Sequence, residues 1–139
     1  MKEFRVLEHT ADIGFEAFGV TREEVFRNAA RALTNLIVDL ESVQARESVA
    51  LQAEAAEPKG LLVNWLSEIV YMQDADGWLF GDFEIASLSD RALSASGRGE
   101  RFQAGRHKIK LLVKAVTYHQ LALEKTPAGV WRAQVYVDI

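Results

Sequence analysis

Asp12 lies in the short stretch HTADIG near the start of the sequence, and Asp138 is the penultimate residue of VYVDI at its close. With the carboxylate that follows Ile139 they make three oxygen-bearing anions, contributed by the two extremities of one chain. Carboxyl groups of both kinds are ordinarily ionised at neutral pH. Gathered by folding, they would repel one another until protons or a cation relieved the charge. Three carboxylates with backbone carbonyls and water form a hard-oxygen site, which suits Ca²⁺ or Mg²⁺ better than zinc. The plainer alternative is that Asp12 accepts a local hydrogen bond in a turn and Asp138 is simply solvated. Nothing in the residues alone brings the two ends together, so both readings stand.

His9 is a further candidate ligand, or else a structural hydrogen-bond partner beside the turn. His107, in the charged GRHKIK, reads as solvated. Thr117, Tyr118 and His119 put hydrogen-bonding side chains on consecutive residues of an otherwise apolar segment, with Thr117 and His119 on one face if it is extended. That patch is either a satisfied core cluster or the wall of a site. Asp12 and Asp138 could also act as a general acid–base pair in a cleft, the reading of a metal-dependent hydrolase. Other catalytic classes find no support. There is no cysteine for thiol chemistry or zinc fingers, no G-x-S-x-G elbow, and Gly97-Arg98-Gly99 lacks the ending of a phosphate loop.

The elements that must hold these residues follow from periodicity. EFRVLE (3–8) and the stretch 13–18 alternate as half-buried strands. Thr21 with Glu24 has the pattern of a capping box, and Val25, Phe26, Ala29, Ala30, Leu33, Leu36 and Ile37 then recur at helical spacing. Residues 47–55 alternate again. Pro58 suits the first turn of a second helix, with Leu62, Trp65, Leu66, Ile69 and Val70 on one side and a turn at Asp74–Gly77. From Trp78 onward the spacing predicts only strands: 78–87, 91–100, KIKLLVKAV (108–116), TYHQLALEK (117–125) and 130–139. Thr126–Gly129 reads as a hairpin turn. The expected fold is α+β, two helices packed on a largely antiparallel sheet of about seven strands, in a single layered domain over residues 1–139.

The chain has 139 residues, a net charge of −4, and hydrophobic residues in 49% of positions. The acidic balance argues against direct nucleic-acid binding, which favours a basic face. The start of the sequence lacks the apolar run of a signal peptide, and no apolar stretch nears the ~20 residues that span a bilayer. No membrane contact and a cytoplasmic location are therefore expected.

HTADIG, the helical LLVNWLSEIVY, VKAVTYH and the closing VWRAQVYVDI, in this order and spacing, resemble the archease family over nearly the whole chain. Residues 39–47 and 96–108 carry no part of the resemblance. It implies a compact α+β protein, not itself an enzyme, that assists the tRNA-splicing RNA ligase, which seals RNA ends bearing a 2′,3′-cyclic or 3′-phosphate. In that family the accessory protein promotes guanylylation of the ligase from GTP and multiple turnover. The resemblance also implies a metal site, usually calcium, at Asp12, Asp138 and the chain end at Ile139, with Mg²⁺ or Mn²⁺ as other candidate ions. His9, Lys114 and His119 match family motifs and are expected on the functional surface, without an assigned role. A general chaperone of nucleic-acid-processing proteins is the other function that the family suggests.

Overall fold

In the computed structural model, which describes residues 2–8 and 12–139, the order is β1 (Phe4–Glu8), β2 (Asp12–Gly19), α1 (Arg22–Ile37), β3 (Glu47–Glu54), α2 (Pro58–Asp76), β4 (Trp78–Leu88), β5 (Ala92–Arg101), β6 (Ala115–Val116), β7 (Ala122–Lys125) and β8 (Trp131–Asp138). His9 lies outside the described residues. A single 3₁₀ turn at Leu40–Ser42 follows α1.

Each helix starts where its local chemistry dictates. The Thr21 hydroxyl accepts from the Glu24 N–H at 3.1 Å, satisfying one of the orphan donors of the first turn of α1. At α2 the cap is Glu57, whose carboxylate accepts from the N–H groups of Lys59 and Gly60, with Pro58 in the first turn. Gly77 ends α2 in the left-handed conformation, at φ 72°, returning its N–H to the carbonyls of Gln73 and Met72.

The strands form two sheets, antiparallel at every pairing. One runs β1-β2-β8-β6, with β7 also on β8, and the other runs β3-β5-β4. Among the described residues no ladder joins the two sheets; α1 lies against both β2 and β4, and α2 against β3, β6 and α1. The helices therefore bridge the sheets. Their shared core includes Phe15, Phe26, Trp65, Leu66, Phe80 and Phe83, all essentially inaccessible to solvent. Burying each such side chain contributes roughly 1.5–3 kcal/mol. The indole N–H of Trp65 donates to the carbonyl of Phe26 at 3.1 Å, so the largest core side chain also satisfies its polar atom.

Two expectations change. Residues 108–114 are extended but belong to no ladder, so the anticipated strand 108–116 shrinks to β6. His107 is not solvated: it is 3% exposed and joins a buried cluster around Glu100. Glu100 is paired with Arg106 and lies 3.2 Å from Nε of Arg46. It also accepts from the N–H of Gln44 at 2.9 Å. The Gln103 N–H donates to Nδ1 of His107 at 2.9 Å, so Nε2 carries the hydrogen and donates to Glu100 Oε2, also at 2.9 Å. A charge run hid this histidine because its neighbours point outward while it turns in.

The hydrogen bond from Arg106, against the opposing effect of burial and with help from Gln44 and His107, holds Glu100 down at about 2, from 4.5. A carboxyl depressed on folding stabilises the fold fully above its unfolded value. That contribution is lost as pH falls from about 4.5 to about 2. Glu100→Gln should cost roughly 1–3 kcal/mol at pH 7, because the Gln44 N–H and buried His107 lose their charged acceptor. Urea unfolding of both proteins should show that gap narrowing at pH 3; an equal gap at both pH values would separate the effect from ionisation.

Candidate metal centre

The site is a consequence of strand register. In the β2–β8 ladder Ile13 faces Val137, Phe15 faces Val135 and Ala17 faces Ala133. Phe15, Ala17 and all three β8 partners are fully buried in the core. Side chains alternate between faces along a strand. The other face accordingly pairs Asp12 with Asp138, Gly14 with Tyr136 and Glu16 with Gln134. Directly opposed like charges cost roughly 0.2–1 kcal/mol. Each core side chain on the inner face is worth roughly 1.5–3 kcal/mol, and a slip of one residue would turn all of them outward. Packing wins, and it holds the two aspartates side by side at the end of the ladder.

Gly14 has a packing role here. A Cβ added to it would stand 2.9 Å from Cδ2 of Tyr136 and 2.9 Å from the carbonyl oxygen of Val135. The missing side chain lets the Tyr136 ring lie across β2, where Tyr136 is only 7% exposed. His119 meets that ring edge-on, with centroids 5.6 Å apart and planes at 72°. Thr117 donates its N–H and its hydroxyl to the carbonyl of Tyr136, at 3.0 and 2.9 Å. The N–H of His119 in turn donates to the Thr117 hydroxyl at 3.2 Å. Gln120, at φ 47°, then swings the chain into β7. The segment 117–121 is thus a turn wrapped on Tyr136 instead of the start of a strand. Its own side chains are half-buried or exposed, which makes it a wall and not a core cluster.

Lys114 and Ala115 complete the neighbourhood. Ala115 is the β6 partner of Asp138, and the Lys114 N–H donates to the Asp138 carbonyl at 2.8 Å. Lys114 itself is exposed and borders a cleft of about 260 Å³ shared with Tyr71 and Asp74 of α2. Ile139, 44% exposed, follows directly after Asp138.

The donor set can be weighed against a cation. Residues paired across an antiparallel ladder have Cα atoms roughly 4.5–5.5 Å apart, within range of one shared ion bound at ~2.3–2.6 Å from each oxygen. Among the described residues no group of three or more His, Cys, Asp or Glu could hold a metal, so no third side chain of these types joins the two aspartates there. Ile139, expected from the sequence to supply a carboxylate, is the residue adjacent to Asp138. All of these donors are oxygen, which fits Ca²⁺, Mg²⁺ or Mn²⁺ and not a soft metal.

Sequence reasoning named Asp12, Asp138, Ile139, His9, Lys114 and His119; His9 lies outside the described residues, and of the others the fold brings Asp12, Asp138 and the Lys114 backbone together. It missed Tyr136, although two-residue periodicity from Asp138 puts Tyr136 on the same face. On that face, further along, it also missed buried Glu16. Burial raises the Glu16 carboxyl, but hydrogen bonds and charges from Arg132 and Arg5 outweigh it and leave the group below its ordinary value.

Two antiparallel sheets bridged by two helices define a small α+β domain, with an acidic pair at the end of its β2–β8 ladder. The chain matches the model of the Archease protein family (MTH1598/TM1083) over residues 4–139. It is 42% identical over 142 residues to protein archease of Methanosarcina mazei, covering 99% of this chain and 97% of that one. Protein archease of Pyrococcus furiosus is 36% identical, with each chain fully covered. The solution structure of Methanobacterium thermoautotrophicum protein 1598 superposes with a TM-score of 0.77 at 32% identity over the whole of both chains. The crystal structure of an archease, "possible chaperone", from Thermotoga maritima has the same fold, with a TM-score of 0.65 at 21% identity, covering 96% of this chain and 94% of that one. The chain belongs to the archease family.

Asp12→Asn keeps the shape and removes one of two opposed charges. With millimolar Ca²⁺ the parent should gain stability and the variant should not, as read by calorimetric melting. An equal Ca²⁺-induced shift in both proteins would remove Asp12 from the ligand set.

Proposed function

We propose that this protein is a non-catalytic accessory factor of the tRNA-splicing RNA ligase, promoting its guanylylation and multiple turnover. It would do so through a divalent-cation site, Ca²⁺ by preference, at Asp12, Asp138 and the carboxylate of Ile139. The observation that carries the reading is the direct opposition of Asp12 and Asp138 across the β2–β8 ladder. Family membership over nearly the full chain supports it. So does the net charge of −4, which suits a protein partner better than free RNA.

A cation there would neutralise the opposed carboxylates and offer a positive point to phosphate or carboxylate oxygens. The chain's own residues do the rest. The β2–β8 register fixes the carboxylates, and the Lys114 N–H fixes the Asp138 backbone. The Tyr136–His119 ring pair stiffens the adjoining turn. Lys114 and His119, both exposed beside this edge, would be the side chains to meet a partner. No helix of the described residues is long and apolar enough to cross a membrane.

A second reading, a chaperone for several nucleic-acid-processing proteins, takes its support from the words "possible chaperone" attached to the Thermotoga maritima protein. Capture of partners from the native extract separates the two: one dominant ligase, or many clients.

In a reaction holding the ligase, GTP and RNA with a 3′-phosphate, adding this protein should raise ligase guanylylation and the number of turnovers. Unchanged ligase kinetics would refute the proposal. Residues appended after Ile139 convert the terminal carboxylate to an amide carbonyl, and Ca²⁺ affinity by titration calorimetry should fall by about ten-fold or more for the lost charge. Equal affinity in tagged and untagged protein would exclude Ile139 as a ligand.

A further inference from the structure

The segment between β5 and β6 has the side-chain pattern of a strand without the ladder of one. Lys108, Lys110, Leu112 and Lys114 are exposed, whereas Ile109 and Leu111 are half-buried and Val113 is 4% exposed. That is two-residue alternation over seven residues. The backbone is nevertheless almost unused. Lys110 donates its N–H to the carbonyl of Ile37 at 2.7 Å, and Lys114 to that of Asp138. Among the described residues, the N–H groups of Ile109, Leu111, Leu112 and Val113 and the carbonyls of residues 108–113 meet no hydrogen-bond partner within the protein.

The segment is held taut all the same. At one end Arg106 and His107 are tied to buried Glu100; in the middle Ile37 holds Lys110; at the other end Asp138 holds Lys114. It runs directly into β6, which stands at the rim of its sheet. An extended stretch fixed at both ends and open along its backbone is preorganised for strand addition, since little ordering entropy remains to be lost.

Charge selects the occupant. From Arg98 to Lys114 the sequence carries six basic residues and one acidic, in a protein of net charge −4. A second copy pairing here antiparallel would set lysine rows against each other, which is unfavourable. A phosphate chain would engage the lysines but leave the open carbonyls without donors. A polypeptide with acidic side chains at alternate positions satisfies both. We propose that residues 108–116 form a docking edge on which an extended acidic segment of a partner protein adds as a further strand. The inference rests on the accessory-factor reading and deepens it: the docked strand would end beside Asp138 and the candidate metal centre.

The test uses neither ligase nor metal, so its failure is distinct from failure of that reading. The intact protein is titrated with an end-capped fluorescent peptide of alternating Glu and Val, with its alternating Lys and Val counterpart, and with a short single-stranded RNA. The acidic peptide should bind at least about ten-fold more tightly than the basic one, and should slow amide hydrogen exchange at Ile109, Leu111 and Val113. A protein carrying both Lys108→Glu and Lys110→Glu should reverse the peptide preference. Equal affinity for the two peptides, unprotected amides, or binding of RNA with none of the acidic peptide would each overturn the proposal. The peptide comparison and the exchange measurement on the unmodified protein decide it even if the double variant fails to fold.

Discussion

Everything distinctive about this molecule follows from the register of β2 against β8. Inner-face contacts of Phe15, Val135 and Val137 fix that register, and each is worth more than the repulsion between the aspartates at the ladder's end. The acidic pair is therefore imposed by a well-packed core, which sets two carboxylates opposite each other at the ladder's end. Such an arrangement separates roles cleanly. Core residues set the geometry, and residues on the opposite face can use it without weakening the fold.

The second constraint is that, among the described residues, no ladder joins the two sheets, and the helices and the connection that leaves β5 link them. Buried Glu100, with its arginines and His107, anchors that connection to one sheet, and Asp138 receives it on the other. A perturbation at the Glu100 cluster thus has a short route, along residues 101–114 and across the Lys114 N–H hydrogen bond, to the backbone of Asp138. The acid-sensitive cluster and the acidic pair are different chemistries joined by one taut segment.

Much of this was legible in the residues, for identifiable reasons. Helix caps and stripes are local, so Thr21 and Pro58 marked the helix starts and the core face of α1 could be read from spacing. Alternation likewise marked the strands, and Thr126–Gly129 does close the β7–β8 hairpin, with Thr126 donating to Val130 at 2.8 Å. What alternation cannot encode is which strands pair. The division into two sheets and the opposition of Asp12 to Asp138 depend on contacts between residues far apart in sequence. The segment 108–114 shows the converse, a strand pattern whose pairing partner lies outside the chain's own ladders. His107 was misread because one inward side chain among outward charges leaves no periodic trace.

The position of β8 has a consequence for how the molecule comes into being. It is an inner strand of its sheet, between β2 and the pair β6 and β7, yet it is synthesised after all the other described strands. Until it arrives, β2 offers the ribosome's surroundings a bare hydrogen-bonding rim, the kind of surface that recruits stray strands into aggregates. Late insertion of a central strand also demands long loop closure, which slows folding. A prematurely terminated copy would thus be sticky and structurally incomplete, a natural substrate for cellular quality control.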